Sequence, residues 1–197
     1  MKSLNILTGA ALCVLVACNN EKKPGITITD EDGKKVSISS EGIAAAAEDL
    51  QKKSEALQKL SPYTLDQMKA LLPEELAGVK RSEFTANSAM GTAYAEGKYV
   101  VNDSTDFELK IFDCAGQAGA GLYSLQYMGM INYQSESDHE YTKTIDFKGV
   151  KAIEHLDKED NDATLTWLSG ERLLVTLEGN NTGLDRLKQI ASALDLK

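Results

Sequence analysis

The chain has 197 residues, 42% of them hydrophobic and 26% charged, with a formal net charge of -9. That length holds one globular domain and a tether, and the acidity repels phosphate backbones and anionic headgroups, which excludes nucleic acid as a partner. The charge is uneven: residues 19–62 carry seven basic and eight acidic side chains, and residues 63–197 carry thirteen and twenty-two.

The first element is an uncharged apolar run, Ile6 to Val16, behind the lone basic residue Lys2. It has the length of a signal-peptide core and is too short to span a bilayer as a helix. The run ends in Leu15-Val16-Ala17-Cys18, which resembles the bacterial lipobox at every position. The resemblance implies a signal peptide over 1–17, a diacylglyceryl thioether on Cys18, cleavage after Ala17, and N-acylation of the new amino group. A second acyl chain turns marginal membrane binding into stable anchoring, so the expected partner is a membrane reached through lipid. Asn19 is not the Asp that retains lipoproteins at the inner membrane of enteric bacteria. The resemblance therefore implies a place in the cell envelope, at the outer membrane; Asn20-Glu21-Lys22-Lys23 loosely resembles the export signal, and Asp103-Ser104-Thr105 the O-glycosylation pattern, of Bacteroidetes-like lipoproteins. Beyond Cys13 and Cys18 only Cys114 remains, which leaves no internal disulfide.

Residues 18–25 are polar, contain Pro24 and read as a flexible tether. Over 26–62 the pattern gives a hairpin and a stalk helix. Ile26-Thr-Ile-Thr and Val36-Ser-Ile-Ser alternate around Asp32-Gly33, a hairpin signature. The acidic turn Asp30 to Gly33 lacks the distal Glu of an EF-hand loop and reads as solvated. Ser40 is placed to cap a helix running to about Leu60, with Ile43, Ala47, Leu50, Ser54 and Leu57 as a short heptad seam.

The globular domain, 63–197, opens at Tyr63. Thr64 and Gln67 form a capping box for a helix from Leu65 to before Pro73. Alternation then predicts strands over Val79–Ala86, Gly91–Val101 and Asp106–Phe112, followed by an apolar helix over Leu122–Tyr133. Strands resume at Tyr141–Phe147 and Val150–Leu156, and Ala163–Leu168 pairs with Glu171–Glu178 across Ser169-Gly170. Thr182 and Asp185 suggest a second capping box, opening a C-terminal helix with the stripe Leu184, Leu187, Ile190, Ala191 and Leu194. The fold class is α+β: an antiparallel sheet of about six or seven strands packed with helices. The order of elements resembles the αβα sandwich of Mog1/PsbP-like domains, a fold that hosts unrelated functions.

Chemistry concentrates at Asp113 to Gly121, where glycines fall between a strand and a helix. Gly116 and Gly121 have P-loop spacing, but Leu122 and Tyr123 stand where the phosphate-binding Lys and the magnesium-binding Ser/Thr belong. Close backbone packing is the default for these glycines. Cys114 is a nucleophile only with a lowered pKa and a base, and the two histidines, His139 and His155, have no sequence relation to it. No metal-ligand spacing appears, and the expectation is no cofactor and no metal. Two functional readings follow. The first is a lipid-anchored, non-enzymatic binding module with an envelope protein partner. The second is a small-molecule or lipid-binding domain, or a minor hydrolase, with a pocket between the sheet and the middle helix involving Cys114, Leu122, Tyr123 and Met128.

Overall fold

The computed structural model describes residues 25–29, 35–89, 91–131 and 133–196, with side chains from residue 47 onward. The signal residues, the lipobox with Cys18, the tether up to residue 24 and the turn of the first hairpin lie outside the described residues. The described residues begin with an antiparallel pair, β1 (Gly25–Thr29) and β2 (Lys35–Ser39). Helix α1 (Ser40–Gln58) follows directly, and α2 (Leu65–Leu71) comes next. The capping box forms as the sequence requires: Thr64 Oγ1 accepts from the Gln67 N–H, and Gln67 Oε1 accepts from the Thr64 N–H.

The predicted first strand of the domain divides. A small antiparallel pair, β3 (Glu75–Leu76) and β4 (Val79–Lys80), turns through Ala77 and Gly78 at positive φ, and β5 (Glu83–Ala89) starts anew after Arg81 and Ser82. Strands β6 (Thr92–Asn102) and β7 (Thr105–Asp113) complete a three-strand meander. Helix α3 (Gly116–Gly129) then crosses to the far edge of the sheet. There β8 (Gln134–Glu136), β9 (Glu140–Phe147), β10 (Val150–Asp157), β11 (Ala163–Ser169) and β12 (Leu173–Asn180) form a five-strand meander running back to the centre. The chain closes with α4 (Leu184–Ala193).

The two meanders join where β12 pairs antiparallel with β7, giving one eight-stranded antiparallel sheet in the order β5-β6-β7-β12-β11-β10-β9-β8. This corrects the expected six or seven strands. The strand that sequence reading omits from this sheet, β8, is Gln-Ser-Glu, too short and too polar to show alternation.

Period-two alternation sends opposite side chains to opposite faces. On one face Phe107, Leu109 and Ile111 of β7, Leu165 and Trp167 of β11, and Val175 and Leu177 of β12 meet Met68 and Leu72 of the α2 segment and Leu187, Ile190 and Ala191 of α4. On the other face Phe112, Leu168 and Leu174 meet Leu57 of α1 and Ala120, Tyr123 and Met130 of the α3 segment. The result is three layers, helices on both sides of one sheet. The seam of α1 is thereby explained: Leu57 is buried and Leu50 half-buried against α3, so the helix rests on the domain.

Two helix starts differ from expectation. Helix α3 begins at Gly116, six residues before Leu122. Its glycine-rich first turns have poor helix propensity, yet the tertiary contact demands small residues: a Cβ on Gly119 would sit 2.5 Å from the carbonyl carbon of Cys114. Helix α4 is capped by Gly183 at φ 70° with no side-chain cap. Thr182 Oγ1 donates to the Asn180 carbonyl at 3.0 Å, and the Thr182 and Gly183 N–H groups donate to the Asn161 carbonyl at 3.0 and 2.9 Å. The second capping box therefore does not form: the Thr182 hydroxyl turns to Asn180 at the end of β12, and the β10–β11 loop takes the Thr182 N–H.

Candidate functional site

Asp113 ends β7 with its side chain buried among donors. It accepts from the Tyr63 N–H at 2.7 Å, the Ala115 N–H at 3.1 Å, and Arg172 Nε and Nη2 at 2.8 and 2.6 Å. Arg172 also donates from Nη2 to the Ser61 carbonyl at 2.8 Å, and its guanidinium lies 3.8 Å from the Tyr63 ring centroid. This bidentate pair ties the entry to α2, the β7–α3 turn and the β11–β12 hairpin into one corner.

Cys114 sits just inside that corner, fully buried, between the sheet and α3. Burial, and next the Asp113 carboxylate, push its thiol up to about 12. A thiol held protonated in this way is not a nucleophile at neutral pH. Neither imidazole stands near it. His155 pairs through Nδ1 with Thr142 Oγ1 at 2.9 Å on β9, and His139 Nδ1 lies 2.5 Å from Glu159 on an exposed loop. Of the other residues expected to line a pocket, Leu122 packs into the sheet–α3 interface, Met128 is half exposed on the outer side of α3, and Tyr123 reaches the cleft described next. Apolar side chains fill the expected space between sheet and helix.

The concavity lies at the end of that interface. Its walls are Asp49, Lys52, Lys53 and Ala56 on α1, Tyr123 and Tyr127 on α3, the β9–β10 turn from Gly149 to Lys151, and the β11–β12 hairpin from Leu168 to Leu173. It is half open to solvent and encloses about 560 Å³, the size of a small-molecule site. Tyr123 and Tyr127 stack with centroids 5.8 Å apart. Burial pushes the Tyr123 phenol up to about 12, and it raises Tyr127 as well. Both rings are therefore neutral apolar walls with hydroxyl donors. Comparison with known proteins finds no matching family model, no similar curated protein and no similar solved structure. The cleft has to be read from its own chemistry.

Four cations, Lys52, Lys53, Lys151 and Arg172, share the lining with two carboxylates, Asp49 and Glu171. Sequence reading missed this cleft because its residues come from four separate segments, each ordinary by itself. Of the residues expected to line a pocket, Tyr123 alone belongs to it. Elsewhere on the same sheet face, Lys110 pairs with Glu108 at 2.9 Å and Glu178 at 2.8 Å, and Tyr94 hydrogen-bonds Glu96. The Glu96 carboxyl is raised, first by its hydrogen bond with Glu108 and then by burial. This cluster satisfies itself. Among the described residues no group of three or more His, Cys, Asp or Glu is arranged to hold a metal ion, and no helix is long and apolar enough to cross a membrane.

Proposed function

We propose that the protein is a lipid-anchored envelope lipoprotein whose domain binds a ligand or partner group non-enzymatically in the cleft between α1, α3 and the two hairpin turns. The anchor rests on Leu15-Val16-Ala17-Cys18, with diacylglycerol on the Cys18 thiol and an acyl chain on its amino group. The binding role rests on one observation: a concave, half-open site of about 560 Å³ with an aromatic wall and converging charged groups. The hydrolase variant draws no support from Cys114, which is buried and protonated far from either imidazole. The layered order of helices and antiparallel strands is in keeping with a Mog1/PsbP-like sandwich.

Metabolic labelling with palmitate tests the anchor. Wild type is labelled and pellets with membranes, whereas Cys18→Ser is unlabelled and soluble; a labelled Cys18→Ser protein overturns this part. Photocrosslinking in intact envelopes tests the cleft. A photoreactive residue replacing Lys52 traps a specific adduct, and the same residue at Thr166, on the polar half of the sheet face, does not. A specific adduct at Thr166 alone moves the binding role to the sheet face and overturns the assignment.

A further inference from the structure

The cleft lining is rich in lysine and arginine although the molecule is acidic. It carries four cations against two carboxylates, while the whole chain has a formal charge of -9. Each of these cations is paired with a carboxylate, so what the cleft offers an anion is exchange of the more exposed partners. The four cations are not equivalent. Arg172 is committed to Asp113 and the Ser61 carbonyl, so it is a fixed positive wall. The three lysines hold only solvated partners: Lys52 pairs with Glu48 at 2.7 Å, Lys53 with Glu171 at 3.3 Å and Lys151 with Asp146 at 3.0 Å. Those carboxylates are 72%, 90% and 76% exposed. Exposed pairs of this kind contribute little and exchange readily for another anion. Beneath them lie the stacked rings of Tyr123 and Tyr127 and the side chain of Leu168, which suit an apolar body and not a bare inorganic ion.

We propose that the cleft binds a small amphiphilic anion, its carboxylate or phosphate head among Lys52, Lys53 and Lys151 and its apolar body against Tyr123, Tyr127 and Leu168. This rests on the cleft being the binding site and adds the class of ligand.

The test is isothermal titration calorimetry on the full acylated chain in zwitterionic lipid nanodiscs, with empty nanodiscs as the reference. Three probes share one ring system: 1-naphthoate, 1-naphthyl phosphate and the neutral 1-naphthamide. Both anions are expected to bind at least about tenfold more tightly than the amide, and the tighter of the two identifies the head group. In Lys53→Glu/Lys151→Glu, the first position part-buried and the second exposed, anion affinity falls about tenfold or more while the amide still binds, which also shows that the variant is folded. Ala56→Trp, which fills the mouth, abolishes binding of all three. An amide that binds as tightly as the anions, or anion affinity unchanged by the charge reversal, overturns the ligand class and leaves the cleft as a site. Wild type that binds none of the probes, or binding that survives Ala56→Trp, overturns both.

Discussion

The two faces of the eight-stranded sheet solve the same covering problem differently. One face is covered across its middle strands, with α2 and α4 meeting side chains from β6, β7, β9, β10, β11 and β12. Polar exceptions there are partnered: Glu154 accepts from the Tyr141 hydroxyl at 2.9 Å and pairs with Lys188 of α4, and Lys148 Nζ caps the end of α4 through the Ala191 and Leu194 carbonyls at 3.2 and 2.6 Å. On the other face the apolar cover of α1 and α3 lies toward one end, and the polar rows beyond it are part-buried. Where α1 and α3 lie, its row is Tyr94, Phe112, Leu174 and Leu168; the next rows are Glu96, Lys110, Thr176 and Thr166, then Lys98, Glu108, Glu178 and Thr164. The first face is about stability, and the second leaves a seam where helices stop and a cleft opens. At that seam aromatic and aliphatic walls meet charged side chains whose partners are largely exposed.

Substitutions graded across this contrast sharpen it. The largest loss is expected on the first face. Trp167, 2% exposed and edge-on to Phe147 with centroids 5.4 Å apart, should cost about 3–5 kcal/mol on truncation to Ala, read by urea denaturation. Asp113→Ala at the corner leaves the Arg172 guanidinium and the Tyr63 N–H without their acceptor and should cost about 3 kcal/mol. Adding Arg172→Leu should recover part of that loss; a purely additive double variant would show that the pair is not coupled. Gly119→Ala forces its Cβ onto the Cys114 backbone and should destabilise by about 1–3 kcal/mol. Gly121→Ala, two residues on in the same helix and facing open space, should instead stabilise by up to about 1 kcal/mol through helix propensity. On the polar rows Thr166→Ala, which removes a 3.1 Å hydroxyl contact to Thr176, should stay within about 1 kcal/mol of wild type. A loss there as large as at Trp167 would mean that those rows are covered in solution.

The alkaline limb of stability probes the buried corner separately. A thiol with an ordinary value of 9.0 is held protonated in the fold to about 12. Between those values the native state binds more protons than the unfolded chain, so stability falls as pH rises through the window. Tyr123, raised to about 12, adds a slope of the same sign at higher pH. In Cys114→Ala the decline beginning near 9.0 should flatten, as followed by denaturation midpoints, while the Tyr123 contribution remains. An unchanged slope would place Cys114 in contact with solvent.

Most of the sheet was legible because its strands alternate and a turn such as Ser169-Gly170 carries a strong signal. The Thr64–Gln67 capping box was legible because both partners lie within one turn and form their bonds locally. Legibility failed where long-range contacts override local preference. Gly116 to Gly121 looks like a loop until Cys114 passes beneath it, and Thr182 looks like a cap until the Asn161 carbonyl accepts from its N–H and that of Gly183. The candidate site was the least legible of all. Lys53, Tyr127, Lys151 and Leu168 converge only after α1 settles on α3, and no spacing in the chain encodes that meeting.

The junction of β7 with β12 also sets an order of events. Asp106 and Asn180 meet across it although 74 residues separate them, and until the last strand arrives β7 has a raw, unpaired margin. The early meander cannot mature by itself, so closure of the whole sheet waits on the final stretch of the polypeptide. A chain shortened before Leu173 should remain loosely collapsed and susceptible to proteolysis, however complete its first helices and strands.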